Sequence, residues 1–524
     1  MTRPSARPCI HPTGRERPSA AVHVNWQLAT WGGTALYVVF SLIYLILGQA
    51  NADEGWYLYA SKLVFQGNVP YRDFAYTQMP LLPYIYGLPQ LVSPSLYLGR
   101  ATSMLFSLAA FLISILIARR SAGRMAAGLT ALLLSSFTYG IYLVTIIKTY
   151  ALLVLLFSLT FFVLSSRITD TWKYVLAILF SFLAALVRLS AIVFAGTIII
   201  YSLTATLRRP TRFLPVLALC IALASGASAF FLPTLEIARW NLLTYHTAQW
   251  VQTSILYKLT TILLIRLPDF WSDFDMYVVM LVSLIFIALG DSTTRVKITP
   301  YLRRNSPVLA VGIGLSLFII VHLGTGGWYT EYCAPAVMSF LPIIAILFSK
   351  LYPLQRSVAS RIVLECMLVG CVVSPLGSHD IQHIDLSGGA LPLEEIREVS
   401  KFIAQHSSAS DKVFALEALW TAIESDRSVL PGMTMAQFSY QEVSREEAAR
   451  RKLVNGDIAL EYIKGCLAKV VVLTDGDWLM FKRTGYDAAI RRALLSRYEL
   501  ALTRAAFGQQ STSVYVYLCR ADQT

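Results

Sequence analysis

Residues 51–87 read NADEGWYLYASKLVFQGNVPYRDFAYTQMPLLPYIYG. An acidic pair, Asp53 and Glu54, opens the stretch; an aromatic run from Trp56 to Phe65 follows, and Gly67, Pro70 and Pro80 punctuate the remainder. Apolar runs stand on either side, Leu28–Leu47 before and Leu98–Ile117 after. Each is close to the roughly 20 helical residues that cross about 30 Å of hydrocarbon. The quoted stretch is therefore the body of a long loop, residues 49–97, held between two membrane spans. The rest of the chain supports that frame. Of 524 residues, 56% are hydrophobic and only 14% charged, against about 25% charged in soluble proteins.

Further apolar runs continue the pattern: Met125–Ile141, Tyr150–Leu164, Tyr174–Val187, Ala191–Thr206, Leu214–Leu232, Met276–Leu289, Val308–Leu323, Ala334–Phe348 and Ile362–Leu376. With the first two they predict about eleven spans. The first run is too long for the apolar region of a cleaved signal peptide and no small-residue cleavage site follows it, so it reads as a retained anchor. The formal charge of +13 is placed as topology rather than as a nucleic-acid footprint. Arg3, Arg7, Arg15 and Arg17 precede the first span; Arg119, Arg120 and Arg124 follow the second, and Arg167 and Lys173 flank a later turn. The series continues with Arg208, Arg209 and Arg212, then Arg295, Lys297, Arg303 and Arg304, then Lys350, Arg356 and Arg361. If the spans alternate, every cluster falls on one side, which the positive-inside rule makes cytoplasmic.

Three regions result: a basic cytoplasmic tail, 1–27; a multi-span domain, 28–377, carrying the long first outer loop; and an extracytoplasmic region, 378–524. The last alternates β-rich runs (Lys412–Leu416, Lys469–Thr474, Ser513–Leu518) with helical patterns (Pro392–Gln405, Ser444–Leu453), predicting a small α/β domain. The expected location is the cell inner (plasma) membrane; an endoplasmic reticulum location would leave the topology unchanged. The seven cysteines, Cys9 among them, and the seven histidines form no metal-ligand spacing. Cys466 and Cys519 are the two cysteines placed to meet in an oxidising compartment, and two separately buried thiols remain an equal reading.

Within the first loop, Trp56–Phe65 is amphipathic and is expected to lie flat in the membrane interface. Asn51 and Glu54 are also spaced like a capping pair that would merely start this helix. The order Asp-Glu-Gly, a tyrosine, Gly-x-x-Pro-Tyr and then a Pro-Leu apolar helix resembles the first loop of GT-C glycosyltransferases. That class includes protein O-mannosyltransferases and aminoarabinose lipid A transferases. The resemblance implies a GT-C-like polytopic α-helical fold with a terminal outer domain, and it extends to Ser425–Tyr440 as a terminal segment whose role stays open. It implies transfer of a sugar from a polyprenyl-phosphate donor to a hydroxyl of a glycan, glycolipid or protein acceptor, on the outer face, in cell-envelope synthesis. It makes Asp53 the catalytic base, with Glu54 as fallback, and puts Tyr57, Tyr71 and Gln78 among the candidate substrate contacts. Direct displacement would invert the anomeric centre, with a carboxylate contributing about 10²–10⁴-fold as base.

The departing phosphate needs a cation. Lys148, between two spans, and Arg188, at the outer end of another, are the candidates, since a cation at membrane depth seeks a partner; snorkelling to interfacial water is the other reading for each. The sequence departs from the class in two places. Lys148 stands where many relatives carry a second acid, which puts a shared metal site in doubt, so a divalent cation is left open as cofactor. Gln78 stands where a lysine often precedes the proline of the loop. Near the outer end of a late span, His322 and Gly324–Tyr332 bring Trp328, Tyr329 and Tyr332 as sugar-stacking candidates, although an aromatic belt has the same composition. Glu236, Arg239, Tyr245, His246 and Trp250 carry the same ambiguity. The alternative function is a polytopic transporter or lipid-carrier flippase, against which stand the lack of internal repeats and of mid-span acids. A non-catalytic scaffold is a third, and it would tolerate loss of Asp53.

Overall fold

The computed structural model of the chain describes residues 25–247, 253–290, 292–355, 357–377, 383–384 and 391–520. Arg3, Cys9, Arg7, Arg15, Arg17, Trp250 and Arg356 lie outside the described residues. The architecture is that of a polytopic α-helical membrane protein with a small C-terminal sheet domain.

Each predicted apolar run falls on helix. Helix α1, Trp26–Leu47, starts where the Asn25 side chain accepts from the amides of Gln27 and Leu28. Among its buried residues is Gly33, where a Cβ would meet the Ala131 backbone at 2.7 Å, so glycine permits the close helix contact typical of membrane packing. After the loop helices α2 (Ala52–Phe65) and α3 (Leu81–Gln90) comes α4, Leu96–Ser136. It is broken at Gly123, whose φ of 86° and ψ of −165° reverse the chain beside Arg119, Arg120 and Arg124, so its two arms are the second and third predicted spans. The third continues as α5, Thr138–Thr145, which meets α6, Thr149–Leu164, at a bend of 107°. Seven helices among the described residues are long and apolar enough to cross a membrane, or eight if that bent pair is one span. The expected eleven comes from splitting the broken helices and adding shorter apolar ones such as Thr171–Val187.

The C-terminal domain is built on five strands: β1 (Lys412–Ala415), β2 (Ser428–Val429), β3 (Val470–Thr474), β4 (Tyr498–Phe507) and β5 (Thr512–Cys519). Their order is β2-β1-β3-β5-β4, with β2, β1 and β3 parallel and β5 and β4 antiparallel. Central β3, Val-Val-Val-Leu-Thr, is buried throughout, as a strand covered on both faces must be. Cys466 and Cys519 are disulfide-bonded, which settles the pairing left open above.

The interface expected around α2 is replaced by protein. Glu54 through Ser61 are buried without interruption. One side meets α3 and the start of α4, while the other is covered by the C-terminal domain, whose Trp420 donates its indole N–H to Asn51 O at 2.9 Å. A Cβ on Gly55 would sit 3.1 Å from Trp420 N, so the helix and the domain meet backbone to backbone there. The amphipathic pattern marked a helix packed between protein layers, one of them supplied some 370 residues later in the chain. Ser425–Tyr440 forms much of this seam: Asp426 binds Lys62 at 2.6 Å, Val429 N donates to Tyr59 Oη at 2.9 Å, and Thr434 donates to Ala75 O at 3.2 Å.

Candidate active site

The site is assembled where the start of α2 meets the α5–α6 bend. Asn51 caps α2, accepting from Asp53 N at 3.1 Å, while Glu54 Oε2 accepts from Asn51 N at 2.9 Å. The capping box read from the spacing is therefore present, and Glu54 does more than close it. Arg100 of α4 binds it in a fork, Nε to Oε1 at 2.7 Å and Nη2 to Oε2 at 2.6 Å, with both side chains fully buried. The same guanidinium donates to Gly48 O at 2.8 Å and Gln49 O at 3.0 Å, and Glu54 Oε1 also accepts from Ile147 N at 3.2 Å. One ion pair thus ties together the end of α1, the start of α2, α4 and the backbone of the bend. Its acceptors are filled from protein, which is the geometry of a structural clamp.

Asp53 is the neighbour left open. Its side chain is 25% exposed, with Oδ1 accepting from Trp56 Nε1 at 3.0 Å and Oδ2 lying 3.1 Å from Lys148 Nζ. Lys148 caps α6 at the bend and is itself 4% exposed. It binds Glu331 as well, at 2.8 and 3.1 Å to the two carboxylate oxygens, and Tyr150 Oη donates to Glu331 Oε1 at 3.1 Å. An ammonium therefore sits between two carboxylates drawn from separate segments.

Arg188 stands beside this group in a different setting. It donates Nη1 to Thr149 Oγ1 at 3.2 Å and Nε to His322 Nε2 at 3.3 Å, both neutral partners, and among the described residues it has no ion pair. His322 Nδ1 lies 2.9 Å from Phe318 O, so the proton belongs on Nδ1 and Nε2 is free to accept. The guanidinium is 4.4 Å above the Tyr332 ring and 5.6 Å from that of Tyr150, which adds cation–π attraction. At 8% exposure, Arg188 is a buried cation whose direct hydrogen-bond partners are neutral, with Glu331 attracting it from further off.

The remaining expected contacts divide. Tyr57 is stacked on Trp56 at 3.8 Å and lies within electrostatic reach of Asp53, Arg188 and Lys148; burial pushes its phenol well above the usual range, so it stays a donor. Tyr332 and His322 belong to the Arg188 group, and the exposed Tyr329 packs edge-on against Tyr332 at 5.5 Å. Trp328 is turned to another use: its indole donates to Asp269 Oδ2 at 3.1 Å, beside Arg266, which binds the carbonyls of Leu323, Thr325 and Gly326. Tyr71 is fully buried at a φ of 68° and donates to Gln78 O at 2.5 Å, packed on Phe231 at 5.8 Å. It holds the loop's shape, so the expected substrate contact gives way to a structural one; Gln78 takes part through its carbonyl. His246 likewise braces the loop, 3.0 Å from Thr77 O, while Glu236 pairs with Arg450 at 3.3 Å on the surface.

Three residues at the centre escaped the sequence reading: Glu331, Tyr150 and Trp56. Glu331 had a signal, as the one acid of the aromatic loop Gly324–Tyr332. Tyr150 and Trp56 had only their proximity in sequence to Lys148 and Asp53. Among the described residues no group of three or more His, Cys, Asp or Glu is arranged to hold a metal ion.

No protein-family model and no curated protein sequence matches the chain. Solved structures do. ArnT from Cupriavidus metallidurans bound to undecaprenyl phosphate superposes with a TM-score of 0.59 at 12% identity, covering 94% of this chain and 98% of that one. The apo form of the same protein gives 0.57 over the same shares, also at 12% identity. ArnT is an aminoarabinose transferase of the GT-C superfamily. The likeness spans both the helical region and the terminal domain, and the chain carries the same fold as that protein.

Proposed function

We propose that this GT-C-fold chain transfers a sugar from a polyprenyl-phosphate donor to an acceptor hydroxyl, with Asp53 as the base and Arg188 at the phosphate. The observation that carries the reading is the pairing of a part-open carboxylate with a buried guanidinium whose partners are neutral. A buried charge without a directly paired counter-ion is costly, and a lipid phosphate arriving from the bilayer would supply a direct anionic partner in the fork geometry that arginine suits. The fold neighbour was crystallised with undecaprenyl phosphate, which favours the same chemistry here. Lys148, the other candidate for the phosphate, is engaged by Asp53 and Glu331, and Glu54 by Arg100. The phosphate contact therefore passes to Arg188 and the base to Asp53 alone.

In the reaction the acceptor oxygen forms a bond to the anomeric carbon while the bond from that carbon to the phosphate oxygen breaks. The hydroxyl proton passes to Asp53, and the electron pair leaves on the polyprenyl phosphate beside Arg188. Attack from the face opposite the phosphate inverts the anomeric centre and needs no covalent enzyme intermediate. Trp56 and Lys148 each engage one oxygen of Asp53, and each of those oxygens keeps a further lone pair for the acceptor. A recess lies at the seam between the first loop and the C-terminal domain. There a cavity of about 550 Å³ is lined by Tyr59, Gln66, Asn68, Lys412, Lys452 and Tyr462, within the size range of ligand sites. The Cys466–Cys519 disulfide favours an oxidising, extracytoplasmic setting for that domain.

The test is donor consumption by membranes containing the protein, offered a panel of labelled hexosyl and pentosyl polyprenyl phosphates with a cell-envelope extract. Turnover of one donor, with release of polyprenyl phosphate, supports the reading and names the sugar. Uptake or flipping of a lipid carrier without cleavage of its sugar–phosphate bond would replace it with transport.

A further inference from the structure

Two carboxylates brought together in the site, Asp53 and Glu331, suggest a divalent cation, and the residues present do not fit one. The point between Asp53 and Glu331 is filled by Lys148 Nζ, 3.1 Å from the first carboxylate and 2.8 Å from the second. A divalent ion binds carboxylate oxygens at about 2.0–2.6 Å. It would have to displace, or sit against, a buried ammonium of like charge. Nor is the ammonium free to leave. Lys148 follows the bend at which Ile147 N is held by Glu54, and the Tyr150 hydroxyl fixes Glu331 from the other side.

We infer that Lys148 is a built-in cation standing where a divalent metal would otherwise join the two carboxylates, and that transfer runs without a metal. The inference rests on Asp53 being the base. Lys148 and Glu331 are then positioning residues. Glu331 anchors the ammonium, the ammonium orients Asp53 Oδ2, and Asp53, at 25% exposure the most open of the three, meets the acceptor.

The test uses full-length protein in nanodiscs, with Mn²⁺ as the probe, followed by electron paramagnetic resonance and thermal unfolding. Wild type is expected to bind no Mn²⁺ at this site and to keep its turnover in EDTA. Lys148→Ala leaves two carboxylates around a gap. It is expected to lose at least 100-fold in turnover, to gain a Mn²⁺ site that raises its unfolding temperature, and to recover part of its turnover with Mn²⁺. Adding Glu331→Gln should remove the gained site. The inference is overturned if wild type binds Mn²⁺ stoichiometrically and loses it on Asp53→Asn, or if EDTA abolishes turnover and Mn²⁺ restores it. A folded Lys148→Ala that keeps full turnover, or that gains no Mn²⁺ site, overturns it as well. The wild-type titration needs no variant, so misfolding of Lys148→Ala leaves the question decidable. If wild type turns over no donor, the transfer reading has failed, while the Mn²⁺ titrations still decide whether Lys148 fills a metal's place.

Discussion

Asp53 and Glu54 are adjacent in sequence and opposite in circumstance: the Asp53 side chain is 25% exposed, and that of Glu54 is fully buried. Consecutive helical residues point about 100° apart. At the first turn of α2 that rotation sends one carboxylate toward the open site and the other onto Arg100. The acidic pair of the first loop is therefore one open carboxylate, the base of the proposed reaction, and one clamp.

Removing one partner of the clamp leaves the other charged and buried, which typically costs about 3–5 kcal/mol. Arg100→Met is expected to lower the unfolding temperature in detergent and the yield of folded protein. Glu54→Gln should do the same, and the double variant should cost less than the sum of the two. A wild-type melting curve for Arg100→Met would refute the clamp.

Arg188 is expected to act on the donor rather than on the fold. A hydrogen bond to a charged group contributes about 1.5–3 kcal/mol, so Arg188→Ala should lower kcat/KM for the donor by about 10–150-fold. Arg188→Lys keeps the charge and loses the fork, and should recover only part of that loss. Titration of polyprenyl phosphate as a competitive inhibitor checks this directly: its affinity should fall in parallel.

Trp420 joins the C-terminal domain to α2 through its bond to Asn51 O and its contact with Gly55. Trp420→Ala removes a fully buried indole, at an expected cost of about 3–5 kcal/mol. Limited proteolysis should then cut the C-terminal domain at protease levels the wild type resists.

The C-terminal domain also carries a pH signature. Burial, with Glu417 beside it, raises the Asp477 carboxyl from an ordinary 3.8 to about 7. The folded state holds this proton more tightly than the unfolded chain does. The contribution is therefore fully present below about pH 4 and is lost as pH rises to about 7, at up to about 1.4 kcal/mol per pH unit. Thermal unfolding between pH 4 and pH 8 should show this decline, and Asp477→Asn should flatten it.

Much of this architecture was legible because apolar runs and basic turns are local signals. The arms of α4 and the reversal at Gly123 fall where arginines interrupt the hydropathy. Strand β4 was missed because Tyr498–Phe507 is rich in helix-forming residues and largely exposed; pairing with β5 overrides its propensity. The positions of Asp53 in its loop and of Lys148 and Arg188 in apolar surroundings were legible, while their roles belong to the proposed reaction. Their partners were not legible. Glu331 lies 183 residues from Lys148, and His322 lies 134 from Arg188. No local pattern joins residues so far apart. For Tyr71 the aromatic-contact reading gave way because its hydroxyl finds its acceptor seven residues on, inside its own loop.

The most direct test of the account compares wild type with Asp53→Asn at matched expression, using the one labelled polyprenyl-phosphate sugar that wild-type membranes consume. The account predicts a fall in turnover of about 10²–10⁴-fold, with the donor still bound and the unfolding temperature little changed. Turnover that survives in Asp53→Asn would contradict it.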